Sequence, residues 1–329
     1  MSPKYLAKKI LFYIGSFWVI LFINFLIPRL MPGNPVIGII GQLSQYHSIS
    51  PSEVKSLYQV FGSPHTPIYT QFFSFVGEVF RGNFGVSIDF YPHSVLYVVS
   101  QSITWTIFLF GIALVGSFFM GNYLGSKSAL ARSSLGDKSG SVVTLFLYSF
   151  PYFWLALMLQ VVFALYYPVF PALNAYNALK YIPGFNLGFI MSVLKHLMLP
   201  LLTLLLTSYG GWYLGMRNNM LITLNDDYLR YGKMIGMKNE ILLKYARRNA
   251  MIPNLTAFAL AIGGIIGAGV LVDIVFSYPG LGFTLYQAIV GEDYPVIQTV
   301  FLFIIIGVLI ANFFMDLLYA HLDPRITEE

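Results

Sequence analysis

Long apolar runs separated by short polar segments dominate the pattern of this chain. A bilayer core of about 30 Å is spanned by about 20 apolar helical residues. Runs of about that length without charged residues occur six times, at residues 10–28, 103–125, 142–166, 196–216, 249–272 and 294–315. The pattern therefore predicts an all-α, polytopic membrane protein with six transmembrane helices.

The distribution of basic residues predicts the orientation of these helices. Six spans place both termini on one side of the membrane, and the side richer in Lys and Arg faces the cytoplasm. Fourteen basic residues fall on the side of the termini, and five fall on the other side, namely Arg29, Lys55, Arg81, Lys180 and Lys195. We therefore predict a multi-pass protein of the cell membrane whose N- and C-termini are cytoplasmic.

Composition supports a membrane protein and excludes several kinds of chemistry. Hydrophobic residues make up 57% of the 329 residues and charged residues only 10%, against about 25% charged in an average soluble domain. Because the chain has no cysteine, disulfide scaffolds, thiolate metal sites and cysteine nucleophiles are excluded. The net charge of +5 is largely explained by the orientation of the helices, so no nucleic-acid partner is predicted.

The polar segments divide the chain into two parts. Residues 1–97 comprise the first transmembrane helix and a long extracellular segment, and residues 98–329 form a core of five helices. Within the extracellular segment, apolar residues at near-helical spacing predict a short amphipathic helix over residues 67–80. Arg81 and Gly82 are predicted to end this helix in a turn.

The cytoplasmic connection at residues 217–250 contains the most distinctive local pattern. Asn225 can cap a helix, and a residue such as Gly236 commonly ends one. A second short helix is predicted to start at Asn239 and to end before the chain returns to the membrane at residues 247–249. The first helix presents one face formed by Tyr228, Tyr231 and Ile235.

Two interpretations of this connection remain open from its residues. Its basic composition is typical of a loop that contacts anionic lipid headgroups. A helix–glycine–helix elbow is also a rigid shape, which lipid contact does not require. The elbow therefore favours a docking element for a cytoplasmic partner.

Several separated motifs resemble those of ABC importer permeases of the dipeptide/oligopeptide subfamily. DYLRYGKMIG at residues 227–236, followed by RRNAMIPN at 247–254, resembles the EAA-type coupling loop of that family. VFSYPGLG at 275–282, DYPVIQ at 293–298, and DLLY and LDPR near the end also resemble subfamily motifs, as does PGNP at 32–35. Arg230, Tyr231 and Gly232 depart from the pattern, because they stand where the generic motif has Glu-Ala-Ala.

The resemblance implies a type I importer permease subunit and its partners. Such a subunit forms a heterodimer with a second, homologous permease, two cytoplasmic ATP-binding subunits power the pair, and an extracellular solute-binding protein delivers the solute. Membrane lipid surrounds the subunit. The resemblance assigns coupling to the ATPases to Tyr228, Arg230, Tyr231, Gly232, Lys233, Gly236, Tyr245 and Arg248.

Catalytic, cofactor and metal motifs are missing from the sequence. No G-x-x-x-x-G-K-[ST] phosphate loop occurs, so we expect ATP to be hydrolysed by partner subunits and not by this chain. Because polar residues within spans are often functional, Gln160 and Asp273 are candidates for the solute pathway. For Asp316 we favour an ion pair with a cytoplasmic Lys or Arg.

The predicted function is uptake of di- or oligopeptides by alternating access, with this chain forming half of the transmembrane pathway. An oligosaccharide such as a β-glucoside is the second alternative for the solute, and a nickel complex is the third. An ion channel or an intramembrane enzyme would belong to another class. A channel requires a pore segment and rings of like charge, and an enzyme requires paired catalytic groups; we find neither pattern.

Overall fold

The protein is described here by a computed structural model covering residues 3–30, 37, 40, 41, 44, 48–61, 67–264 and 269–322. The motifs at residues 32–35 and 323–325 lie outside these residues. Regular structure in the described part is helical, apart from an isolated bridge between Val86 and Ser94. The α-helices are α1 (Pro3–Leu30), α2 (Pro51–Phe61), α3 (Ile68–Phe80), α4 (Val95–Leu130), α5 (Leu135–Ser149), α6 (Tyr152–Gln160), α7 (Leu187–Thr223), α8 (Asp227–Met234), α9 (Asn239–Gly264), α10 (Val270–Val275), α11 (Leu281–Val290) and α12 (Tyr294–Leu322), and a π-helix over Val161–Tyr166 continues α6.

Four helices within the described residues are long and apolar enough to cross a membrane. These spans are Leu6–Leu26, Val95–Leu130, Leu187–Thr223 and Tyr294–Phe314. Helix α5 and the segment Tyr152–Tyr166, which are bent by 96° relative to each other, add a fifth span if the pair crosses the membrane as one broken helix. The prediction of a multi-span helical membrane protein is confirmed at this level, whereas the number six is not established.

The bend between α5 and α6 corrects the prediction of a continuous helix over residues 142–166. Its cause is Pro151, which follows Phe150. A proline disfavours the helical conformation of the residue before it, and Phe150 is extended, with φ −74° and ψ 134°. Helix α5 therefore ends at Ser149, and α6 begins immediately after the proline.

The remaining predicted span, residues 249–272, falls on α9, the undescribed residues 265–268 and the short helix α10. Helix α9 is not among the candidate spans. Its N-terminal half contains charged residues, including Lys244, Arg247 and Arg248. Whether this segment completes a sixth span stays a prediction.

The chain forms two compact units, of which the first contains residues 1–106, 266–270 and 279–329. In this unit α1 packs against α12 through reciprocal side-chain to backbone hydrogen bonds. The Asn24 side-chain amide donates to the Gln298 carbonyl at 3.0 Å, and the Gln298 side-chain amide donates to the Asn24 carbonyl at 3.0 Å. Asp316 accepts from Lys9 at 2.6 Å and from Tyr13 at 2.9 Å, which confirms the predicted ion pair.

Hydrogen bonds to Asp293, the residue before α12, connect this helix to the segment that precedes α4. This fully buried carboxylate accepts from the Ser87 hydroxyl and from the backbone N–H groups of Ile88 at 2.9 Å and Asp89 at 3.1 Å. Burial raises the pKa of the Asp293 carboxyl, and the hydrogen bonds act in the opposite direction. The preceding helix α3 and the Arg81–Gly82 turn that ends it confirm the prediction for residues 67–82.

The second unit contains residues 107–265 and 271–278, and α7 is its central helix. Small residues allow close helix packing: a Cβ atom at Gly121 of α4 would lie 2.6 Å from the Tyr209 carbonyl oxygen of α7. Asn254 of α9 adds a polar connection, since its amide donates to the Asn122 side chain at 2.8 Å and to the Trp212 carbonyl at 2.9 Å. Helices α4, α7 and α9 are thus joined within one packed body.

Candidate coupling element formed by α8 and α9

Helix α8 begins at Asp227, one residue later than a cap at Asn225 would place its start. Its N-cap is Asp226, in an extended conformation, and Asp227 lies in the first turn, where a negative charge is favourable. The amide of Asn225 instead donates back to the Leu221 carbonyl of α7 at 2.8 Å. The prediction that Asn225 caps the helix is therefore wrong, because the side chain is engaged by the end of the preceding helix.

A glycine in the left-handed conformation ends α8, as predicted. Gly236 has φ +79°, which costs a residue with a Cβ atom about 1–2 kcal/mol but glycine very little. The Gly236 N–H donates to the Lys233 carbonyl at 3.2 Å, and the Met237 N–H donates to the Gly232 carbonyl at 3.0 Å. These two bonds are those of a Schellman motif, so the elbow between α8 and α9 has a defined shape.

Helix α8 is held against the membrane part of the second unit by a hydrophobic cluster. Leu229 of α8 packs with Leu242 and Ala246 of α9 and with Met216 and Met220 of α7. Gly232 permits this approach, because a Cβ atom there would lie 2.7 Å from Leu242 Cδ2 and 3.1 Å from Met237 Sδ. The short helix is therefore a docked element rather than a free loop.

Helix α9 continues past the point where the sequence predicts a separate short helix to end. It runs unbroken from Asn239 to Gly264 with Pro253 inside it. A proline within a helix removes one backbone hydrogen bond, and here Ala250 is buried while Asn254 bonds to α4 and α7. Tertiary packing thus maintains the helix, and the predicted boundary near residue 247 is wrong.

One face of the element is exposed and apolar. The exposed fractions are 42% for Tyr228, 65% for Tyr231 and 83% for Met234. Tyr228 is oriented by Asn249 of α9, whose amide donates to the Tyr228 hydroxyl at 2.7 Å. Such a patch on a rigid support has the form of a protein-docking surface.

The predicted coupling residues differ in their exposure, and their role in coupling stays a prediction. Seven of them are exposed on the element: Tyr228, Arg230, Tyr231, Lys233, Gly236, Tyr245 and Arg248. Gly232 is buried between α8 and α9, so it supports the surface from beneath. Met234 belongs to the exposed face although the sequence did not single it out; its spacing of three residues from Tyr231 is the signal that was available.

Gln160 and Asp273, the two candidates for the solute pathway, both lie close to the C-terminal end of α10. The Gln160 amide donates to the Ala172 carbonyl at 2.9 Å and to the Val275 carbonyl at 3.0 Å. Asp273 is only 1% exposed, and its carbonyl accepts from the Tyr278 N–H at 2.8 Å. Gln160 therefore connects three segments of the second unit, and a role in contacting solute stays a prediction for both residues.

Fold and site together define a multi-span helical membrane protein in which a short exposed helix, α8, connects the long helices α7 and α9. The family model for the binding-protein-dependent transport system inner membrane component matches residues 121–328. That match includes α5 to α12, and with them the whole of the α8–α9 element. The chain belongs to this family of transport permeases.

Relatives of nearly equal length support the same assignment. The chain is 29% identical to the di/tripeptide transport system permease protein DppB of Pseudomonas aeruginosa, with 99% of each chain covered. It is 30% identical to a putative peptide permease protein of Brucella ovis and 29% identical to the oligopeptide transport system permease protein AppB of Bacillus subtilis, with 98% of each chain covered in both cases. The similarity thus extends over essentially the whole chain.

We expect Gly232→Val to separate α8 from α9 locally. The added side chain meets Leu242 and Met237, and overpacking of this kind typically costs about 1–3 kcal/mol. Hydrogen exchange of the α8 amides in the purified transporter should therefore become faster. Gly77→Val in α3 is the matched control, because a Cβ atom there meets nothing within 4 Å; equal effects of the two substitutions on their own helices would contradict the packing role of Gly232.

Proposed function

We propose that this chain is a permease subunit of an ATP-driven ABC importer that takes up di- or oligopeptides. The observation that carries the proposal is the exposed aromatic and apolar face of α8, held on a rigid elbow and joined to long helices. The names of the full-length relatives favour peptides as the solute. They do not favour the oligosaccharide or nickel alternatives.

The proposal includes the partners that such a subunit needs. A second, homologous permease supplies the other half of the pathway in a type I arrangement with six helices per subunit. Two ATP-binding subunits dock on α8 at the cytoplasmic face, and a solute-binding protein delivers peptide to the opposite face. This orientation places both termini and residues 217–250 in the cytoplasm, as the distribution of basic residues indicates.

The packing of the second unit suggests how movement of α8 reaches the membrane. A displacement of α8 acts on α9 through Leu229, Gly232 and Leu242. Helix α9 is continuous from Asn239 to Gly264, so a displacement of its first turns also moves its membrane part. Because Arg247 donates to the Ser126 hydroxyl of α4 at 3.0 Å, α4 is coupled to the same movement. We therefore expect closure of the ATPases to reach the membrane through the packed contacts of α8 with α9 and of α9 with α4.

The elbow itself provides the most specific test of this function. We expect Gly236→Val to leave membrane insertion and expression near normal but to reduce peptide transport severely, together with stimulation of ATPase activity by the loaded binding protein. The cost of about 1–2 kcal/mol or more for a β-branched residue with positive φ is small for a protein of this size. It is sufficient to shift the docking surface relative to the ATPase.

Gly82→Val is the matched control for this experiment. Gly82 also has φ +71°, with no atom within 4 Å of an added Cβ. It follows α3 with the same pair of hydrogen bonds, from Gly82 to Val79 and from Asn83 to Glu78. Both variants carry the same backbone strain, but only one alters α8. Full transport by Gly236→Val in the reconstituted complex would favour simple lipid contact over docking.

Labelling of introduced cysteines tests the proposed orientation. The chain has no cysteine of its own, so each single-cysteine variant has no background. With an impermeant thiol reagent on intact cells, Asn174→Cys should react, whereas Ser134→Cys and Asn239→Cys should not. All three positions are exposed; Ser63, which is also expected to react, lies outside the described residues. Reaction of Asn239→Cys in intact cells would reverse the orientation and remove α8 from the cytoplasm.

A further inference from the structure

A cavity of about 480 Å³ opens on the second unit where α4, α5 and α7 meet. It lies near the C-terminal end of α4 and the first turns of α5, away from the exposed face of α8. Its lining combines charged, hydroxyl and apolar side chains, among them Leu124, Lys127, Asp137, Ser139, Val143 and Tyr213. No part of the coupling proposal uses this cavity.

The acidic group of the cavity is already neutralised. Arg217 of α7 donates to both oxygens of Asp137, from Nε at 2.8 Å and from Nη2 at 2.9 Å. The same carboxylate accepts from the Ser128 hydroxyl and from the Ser133 N–H. Bidentate pairing with additional hydrogen bonds satisfies a buried carboxylate well. Asp137 therefore leaves no unbalanced negative charge to repel an anion.

Lys127 supplies the remaining charge in the lining. Its ammonium lies 4.5 Å from the centre of the Tyr123 ring, and no acidic side chain of the described residues forms an ion pair with it. A cation–π contact orients an ammonium but leaves its charge available. The cavity is therefore a cationic one.

Apolar side chains continue from the cavity along α4 and α5. Leu124, Val143 and Phe146 are 39%, 53% and 62% exposed, respectively. On α5, Val143 and Phe146 are three residues apart and share a face. An apolar strip beside a single cationic group matches a molecule with an anionic head and a hydrocarbon tail; free phosphate would not use the strip.

The charge-free run of α4 ends at residue 125, so Lys127 lies just beyond the predicted span, at the level of lipid headgroups. At 1.5 Å per residue, a helix of 36 residues is roughly 54 Å long, whereas the hydrocarbon core is about 30 Å thick. Lys127 lies three residues from the end of α4 at Leu130. In the proposed orientation, this end of α4 reaches the cytoplasmic leaflet.

We propose that this cavity binds the phosphodiester headgroup of an anionic phospholipid of the cytoplasmic leaflet. Lys127 pairs with the phosphate, Ser139 lies within the same lining, and the acyl chains follow the strip formed by Leu124, Val143 and Phe146. The inference rests on the proposed membrane orientation but not on peptide as the solute. It assigns a specific lipid site to a region outside the coupling element.

Native mass spectrometry of the purified complex, titrated with phosphatidylglycerol or phosphatidylcholine, tests this proposal. Loss of a direct charge-assisted hydrogen bond to the phosphate weakens binding by about tenfold or more, so Lys127→Gln should lower phosphatidylglycerol binding by at least that factor. Lys127→Arg should restore it. Lys138→Gln is the control, because it removes the same charge from a neighbouring exposed position that does not line the cavity.

Three results would overturn the proposal. Equal losses from Lys127→Gln and Lys138→Gln would indicate general attraction to a basic surface. Equal binding of phosphatidylcholine would show that the headgroup charge is not recognised. Loss of the second permease from the Lys127→Gln complex would assign the cavity to the subunit interface. The Ser134→Cys labelling result separates failure of the site from failure of the orientation.

Discussion

The packing of α8 against α9 depends on the absence of a side chain at position 232. Only a glycine there lets the backbone of α8 approach Leu242 of α9 closely enough for Leu229 to enter the hydrophobic cluster. The Schellman turn at Gly236 then fixes the direction in which α9 leaves. A short helix of eight residues would be marginal in isolation. The exposed surface of α8 is therefore only as well defined as its contact with α9.

Features that depend on local chemistry could be predicted from the sequence. The turn at Gly236 follows from a glycine after a helical pattern, and the ends of α3 follow from its apolar spacing and from Arg81–Gly82. The ion pair of Asp316 follows from the cost of an isolated charge near the membrane, and the structure supplies Lys9 as its partner. The class of fold follows from the lengths of the apolar runs.

Features that depend on tertiary contacts could not be predicted in the same way. The burial of Gly232 requires Leu242, ten residues later, to lie across it, and no periodicity in α8 indicates that contact. Pro253 is locally a helix-breaking signal, yet packing of its neighbours keeps α9 continuous. The bend at Pro151 is the opposite case, because the same residue type there interrupts a span. Proline alone does not distinguish the two outcomes.

The central claim is that the exposed face of α8 is covered by an ATP-binding subunit, and accessibility of Met234 tests it most directly. Its side chain is 83% exposed in this subunit. In inside-out vesicles, Met234→Cys should react slowly with a thiol reagent while the ATP-binding subunits are bound and rapidly after they are stripped off. Arg132→Cys, exposed on the connection between α4 and α5, should react equally in both states. Equal reactivity of Met234→Cys before and after stripping would contradict the account.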